Sequence, residues 1–381
     1  MAKVFSGLIY TWVMITYIPA AVVDIETFYG GGLDMYHQFW IDPAGFPSYL
    51  YKTFYITDFN IGRTDSDFIR TVFDGIKVIH FLLNFLSGGN LFTNVLLFNC
   101  LASWLFLRCW VYLKILTGNW WLGAWIFLFP SAFFFTSVIL KEGIECILIA
   151  LILPIFLSPR NGIGWTNRIW LTVLFLLLFF FKYLIAFTFL GSLLFYTLFK
   201  KYPLVKGRLV MVASVLALLV FFNIGKLLPS FNLPNYIVER RLEFQELEAN
   251  SALNMRTLRP DFLSFVKALP ECLKNVLFSP LPGEGGKITY LIFSAEIFIF
   301  WFVLLVMLIQ GRKSGWVSPG SEAWALLLFS FINLTIIGYT ITNIGAIIRY
   351  RSIFMPGIGY FIFIASGGFN LISKRFRNLS N

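Results

Sequence analysis

The chain has 381 residues, 58% hydrophobic and only 13% charged, with a formal net charge of +11. Soluble domains carry about 25% charge, so a water-borne globular protein is excluded. The four cysteines (Cys100, Cys109, Cys146 and Cys272) form no CxxC pair, which argues against a disulfide framework or a zinc site.

Lys3 precedes an apolar run that ends at Asp24 without a small-x-small cleavage site, so the run reads as a retained first helix. A crossing helix needs about 20 apolar residues, fewer where the bilayer thins. On that measure the expected spans are 4–23, 89–107, 119–137, 143–157, 168–181, 183–199, 208–226, 288–310, 322–342 and 352–372. The stretch Ile169–Phe199 is too long for one span and is interrupted only by Lys182 and Tyr183, which predicts two short helices joined by a tight turn. Residues 66–87 alternate apolar and charged positions at helical spacing, the pattern of an amphipathic helix lying on a membrane surface. The expectation is an all-α integral membrane protein of about ten transmembrane helices, several of them short, in one polytopic domain over 1–381.

Orientation follows from the basic residues. The segments 108–117, 158–168, 200–208, 311–321 and 373–381 carry lysines and arginines and no Asp or Glu. Counting from Lys3, all of them fall on the cytoplasmic side, with both termini inside. The excess positive charge is then explained by topology and anionic lipid, and nucleic acid is excluded as a partner. The other side is acidic, with eight Asp and Glu between Asp24 and Asp74 and seven between Glu239 and Glu284. Its two long segments, 24–88 and 227–287, read as outer loops that form the active-site face.

Four constellations carry chemistry. The first loop opens with Asp24, Glu26, Asp34 and His37 around the glycines Gly30, Gly31 and Gly32, which suit a sharp turn or close approach to a ligand. A carboxylate there would act as general base on an acceptor hydroxyl or help to hold a divalent cation, magnesium or manganese. Alternatively, Asp24 and Glu26 mark the membrane boundary. The second constellation is FPSAFFFTSVILKEGIECI over 129–147, in which Pro130 and Ser131 interrupt a helix near its outer end and Lys141, Glu142 and Glu145 open the next. Charges at a bilayer are functional candidates, or Lys141 and Glu145 neutralise each other at i,i+4. Lys182, between two apolar helices, is a snorkelling residue or a phosphate contact.

The third constellation is the late loop, where Arg240, Arg241, Arg256 and Arg259 would bind phosphate or pyrophosphate, or stand on a solvated face. Its stretch 259–278 has the apolar periodicity of a second surface helix. The fourth is NIGAIIRYRSIFMPGIGYF over 343–361, with Arg349 and Arg351 at the outer mouth of the last helix, against the usual charge bias.

Together these features resemble the GT-C membrane glycosyltransferases, which include the dolichyl-phosphate-mannose-dependent protein mannosyltransferases and their bacterial relatives. The shared features are many helices, an acidic motif soon after helix one, outer-surface amphipathic helices, and a late Arg-Tyr-Arg-x-x-x-x-Pro-like motif, here RYRSIFMP. PSAFFFTSVILKEG also looks like a pattern of bacterial surface-polysaccharide membrane proteins. The chain departs from the family in lacking its paired acidic motif, since Asp34 is followed by Met35 and Tyr36. The late arginine-bearing loop is similar to O-antigen polymerases and to exopolysaccharide polymerases of the EpsG type.

The resemblance implies transfer of sugar from a polyprenyl-phosphate or pyrophosphate carrier to a glycan or lipid acceptor, at the extracytoplasmic face of a bacterial cytoplasmic membrane. In that scheme Asp34 is the base, with Glu26 or His37 as substitutes. Lys141, Glu142, Lys182, Arg240, Arg241, Arg256, Arg259, Arg349 and Arg351 line the donor phosphate site, and no cofactor beyond the divalent cation is implied. A polysaccharide polymerase and a lipid-linked oligosaccharide flippase are the competing readings. A flippase would carry inverted repeats and mid-membrane polar residues.

Overall fold

A computed structural model describes residues 2–17, 19–54, 66–117, 120, 129–156, 164–202, 206–228, 232–246, 251–284 and 288–367. Among these the regular structure is helical, and the one β-type contact is an isolated antiparallel bridge between Ala252 and Asn343.

The helices fall into two compact units, Met1–Asn60 with Thr64–Ala186, and Ile61–Arg63 with Phe187–Asn381. The first holds α1 (Ala2–Tyr17), α2 (Pro19–Ile41), α3 (Phe46–Phe54), α4 (Ser66–Ser87), α5 (Leu91–Thr117), α6 (Pro130–Phe135), α7 (Lys141–Phe156) and the start of α8 (Trp165–Lys201). The second holds the rest of α8, then α9 (Lys206–Leu227), α10 (Leu233–Glu246), α11 (Phe262–Phe278), α12 (Ile288–Ser314), α13 (Ser321–Thr340), α14 (Ile344–Arg351) and α15 (Met355–Ala365).

Local chemistry sets the ends. Pro19 and Pro130 open α2 and α6, where the missing N–H would be unpaired anyway. Asp261 caps α11 by accepting from Ser264 N at 2.8 Å, and Asn343 caps α14 by accepting from Gly345 N at 3.0 Å. Between α4 and α5 the chain needs two left-handed residues, which Gly88 and Gly89 supply at φ 62° and 77°.

Four described helices are long and apolar enough to cross a membrane: Leu91–Lys114, Trp165–Lys201, Tyr290–Lys313 and Ser321–Thr340. The pair α14–α15, bent by 51°, makes a fifth if counted as one span. The chain is a helical membrane protein, but ten spans are not reached among the described residues. Ala2–Thr16, Gly75–Ser87 and Ser214–Leu227 are apolar but shorter, and most of 119–137 lies outside the described residues.

The surface of the first unit is inverted relative to a soluble protein. On α4, His80 and Asn84 are buried while Leu82, Phe85 and Leu86 are exposed. On α5, Asn94 and Asn99 are wholly buried while Leu101, Trp104 and Leu107 face outward. Polar groups inside and apolar groups outside suit a hydrocarbon solvent.

The region expected as an outer loop over 24–88 is largely helical. The first helix ends at Tyr17, and α2 then runs through Asp24 and the three glycines to Ile41. Gly31 and Gly32 therefore form no turn; they are the face on which α4 packs. A Cβ on Gly32 would lie 2.5 Å from His80 Cβ and 2.7 Å from the Lys77 carbonyl oxygen, and one on Gly31 would meet the Lys77 side chain. Small residues let helix backbones approach closely in a medium that offers no hydrophobic drive between them. Tyr29 donates to the Gly89 carbonyl and adds a polar tie, and burial pushes its phenol up, so it stays a donor. Met35, Phe46 and Phe81 close a small core shared by α2, α3 and α4.

Residues 66–87 form the expected helix. The stretch Ile169–Phe199 is broken where expected: Lys182 is non-helical at φ −161° and ψ 87°, and helix resumes on either side. The late loop resolves into α10, an irregular strip over 251–261, and α11.

A side chain at position 32 must push two backbones apart. Gly32→Leu is expected to lower stability by about 1–3 kcal/mol in detergent thermal unfolding. Gly30→Ala, where a Cβ would meet nothing within 4 Å, should be neutral or stabilise by up to about 1 kcal/mol. Equal melting of the two variants would remove the glycine face as the reason for this packing.

Candidate functional site

The densest set of buried charges lies in the first unit. After α6, the residues Thr136–Leu140 make a compact turn, held by Thr136 N to Ala132 O at 3.0 Å and Leu140 N to Val138 O at 2.8 Å. α7 starts at Lys141 and presents Glu142 and Glu145 three residues apart, hence on one side. Glu142 is 1% exposed and Glu145 0%. The first turn of a helix favours a carboxylate through its dipole, which accounts for Glu142 better than for Glu145.

Glu145 is balanced from a distant point of the sequence. Lys182 Nζ lies 3.6 Å from Glu145 Oε1, and the lysine is 31% exposed. The pair forms at the one residue where α8 leaves helical geometry. Neither Glu145 oxygen has a hydrogen-bond partner. Its electrostatic support comes first from Lys182 and then from Lys141, opposed by Glu142. The expected i,i+4 neutralisation of Glu145 by Lys141 is thus replaced by a longer-range pair, and Lys141 acts as a second cation in the same cluster.

The turn lies deeper than the sequence suggested. The Ser137 carbonyl accepts from Asn99 Nδ2 at 2.6 Å, and a Cβ on Gly143 would lie 3.1 Å from Phe98. Phe98 and Asn99 are the eighth and ninth residues of the 24-residue candidate span Leu91–Lys114. The 136–140 turn and the start of α7 are therefore level with a point about a third of the way along that span, inside its first turns. Irregular backbone at such depth persists only where protein or a polar cavity surrounds it.

Around this cluster are buried amides that composition and motif did not single out. Asn94 Nδ2 donates to Asn84 Oδ1 at 2.7 Å and sits 3.5 Å from His80 Nδ1. The signal was available as polar residues at i,i+4 (His80, Asn84) and i,i+5 (Asn94, Asn99) within apolar stretches.

Of the residues expected as the base, Glu26, Asp34 and His37 all lie on α2 and are exposed. At 100° per residue they fall within about 80° of one another on that helix. The Asp24 side chain lies outside the described residues. Glu26, Asp34 and His37 do not form a metal-binding group: among the described residues no three His, Cys, Asp or Glu side chains are placed to hold a metal ion.

The expected arginines belong to the second unit, and two of them are turned inward. Arg351, 3% exposed, donates to the carbonyls of Val276, at 3.0 Å, and Ser279. It caps the C-terminal end of α11, where a cation is favoured, with Glu296 as a neighbouring negative charge. Its guanidinium is held on backbone carbonyls as a structural clamp. Arg241, 2% exposed, is likewise withdrawn: it donates to the Arg256 carbonyl and lies beside the Cys272 thiol, which burial pushes up to about 11.

Arg240 pairs with Glu243 at 2.7 Å and donates to the Tyr236 hydroxyl at 3.2 Å. Arg349 donates to the hydroxyl of Tyr350 and lies over its ring. Arg256 and Arg259 are exposed on the irregular strip, which is pinned to the entry of α14 by Leu253 N to Thr342 O at 2.7 Å and Ile344 N to Ser251 O at 3.1 Å. The structure thus joins Glu142, Lys141 and Lys182 around Glu145 in one unit, and places the six arginines in the other.

Compared with protein-family models, curated proteins and solved structures, the chain matches none.

Removing one member of a buried pair strands the other, which costs about 3–5 kcal/mol, whereas replacing both with apolar residues of similar size is near neutral. Lys182→Met should therefore destabilise more than the double variant Lys182→Met, Glu145→Leu, read as melting temperature in a double-mutant cycle. Additive losses would mean that the two side chains do not interact.

Proposed function

We propose that this chain is a membrane glycosyltransferase that takes sugar from a polyprenyl-phosphate or pyrophosphate carrier, at the extracytoplasmic face of a bacterial cytoplasmic membrane. The observation that supports the reading is the Lys182–Glu145 pair at the break in α8. A lysine held by a wholly buried carboxylate, yet 31% exposed itself, is suited to reach a carrier phosphate entering from the bilayer. Charges kept within an apolar layer are retained for function more often than for stability.

In this scheme Asp34, exposed on α2, takes the proton of the acceptor hydroxyl. The freed oxygen forms a bond to the anomeric carbon. The bond from that carbon to the carrier oxygen breaks, and its electron pair leaves with the phosphate. Lys182 and Lys141 neutralise the charge that develops there, which is commonly the largest catalytic contribution. Glu145 is a positioning residue that aims Lys182.

A second reading, a lipid-linked oligosaccharide flippase, is favoured by one feature: a helix break beside buried charges, as at Lys182 and Glu145, is a transporter arrangement.

The deciding measurement is sugar transfer by purified protein from polyprenyl-phosphate sugar and, separately, from polyprenyl-pyrophosphate oligosaccharide. Asp34→Asn and Lys182→Met should each cut kcat by about 100-fold or more, measured per folded protein because Lys182→Met also lowers stability. Transfer from the pyrophosphate donor alone would select the polymerase form. No transfer by wild type, together with carrier movement across proteoliposomes, would replace the enzyme with the flippase.

A further inference from the structure

Lys3, the basic residue from which the cytoplasmic side is counted, is buried at 5% exposure. Its ammonium donates to Thr136 Oγ1 at 2.8 Å and Ser137 Oγ at 3.2 Å. The rings of Phe106 and Phe133 lie 5.0 and 5.3 Å from it. No salt bridge to a carboxylate accompanies these contacts among the described residues; two hydroxyls and two aromatic faces make an ammonium cage, with Cys146 of α7 in electrostatic reach.

Gly7, one turn further along α1, makes the approach feasible, because a Cβ there would collide with Asn99 Nδ2 and the Ser137 carbonyl. The cage thus gathers α1, α5 and the 136–140 turn. From this turn the geometry passes directly to the candidate site: Gly143 packs on the Val138 carbonyl, with a Cβ there only 2.7 Å away, and Ile144 N donates to Leu140 O at 3.2 Å. A methionine or leucine at position 3 would fill the same space without the cost of burying a charge.

We propose that Lys3 is a positioning residue that fixes the 136–140 turn against α1 and α5 and thereby the placement of Glu142 and Glu145. The role deepens the reading of the site given above, but part of its test does not depend on that reading.

The experiment compares wild type with Lys3→Met, which keeps the volume, and Lys3→Ala, which opens the cage. Two readouts are used: sugar transfer, and modification of Glu145 by the apolar reagent dicyclohexylcarbodiimide, located by mass spectrometry. Lys3→Met should lower kcat by about tenfold or more, as expected of displaced catalytic geometry, leave the donor KM within about twofold, and change the rate of Glu145 modification. Propylammonium should restore both readouts in Lys3→Ala, and leave Lys3→Met unimproved because its cage is filled.

Wild-type modification rates in Lys3→Met overturn the proposal, whatever happens to turnover, because the carboxylate would then be placed without Lys3. Failure of propylammonium to shift either readout in folded Lys3→Ala also overturns it, since the cage would not be specific for an ammonium. If wild type transfers no sugar, the glycosyltransferase reading falls on its own, and the modification rates still decide the role of Lys3.

Discussion

The constraint on which this structure depends is the cost of a polar group without a partner in an apolar medium. An amide or hydroxyl moved out of water unpaired costs a few kcal/mol, and a charge costs more. On α4, Ile76 and Phe81 are buried while Leu82, Phe85 and Leu86 face out, so only part of its apolar area is covered by neighbours. The inward polar groups of the first unit and the glycines that let backbones meet add to that packing. His80, Asn84, Asn94 and Asn99 line α4 and α5, and Gly7, Gly31, Gly32 and Gly143 remove the side chains that would hold neighbouring elements apart.

The same constraint sorts the charges. Arg351 and Arg241 are taken up by backbone carbonyls, so their guanidinium groups serve the architecture of the second unit. A guanidinium is well suited to this work, because it is weakly hydrated and presents several donors in a fixed plane. Glu145 and Lys182 are different. Their 3.6 Å pair stands at the break of α8, and the functional reading is centred there because charges kept within an apolar layer are retained for function more often than for stability. Lys3 belongs to the same layer, a third lysine in a cluster whose acids are fully buried.

The two units also separate what a linear reading had combined. Asp34, Lys141, Glu142 and Lys182 are in the first unit, whereas the arginines of the late loop and the RYRSIFMP segment are in the second. Chemistry built from the first unit alone needs only a base, two lysines and a carboxylate that aims one of them. Arg256 and Arg259 are exposed on the irregular strip of the second unit.

Much of the local structure was legible in the sequence. Composition and long apolar runs determined a helical membrane protein, because hydrocarbon admits few other spanning structures. The spacing in 66–87 determined a helix with the bounds observed, and the single lysine in Ile169–Phe199 marked the break at 182. What the sequence could not determine was partnership across distance. GGG reads as a turn because glycine frees the backbone, but here it reads as a packing face, because α4 lies against it. Lys141 and Glu145 read as a pair because i,i+4 brings side chains together on an isolated helix, yet a lysine 37 residues downstream takes that place. Lys3 reads as a cytoplasmic residue ahead of the first helix, yet its ammonium sits on hydroxyls more than 130 residues away. In each case the sequence set the helix and its charge; only the tertiary structure decided which desolvated group that charge had to satisfy.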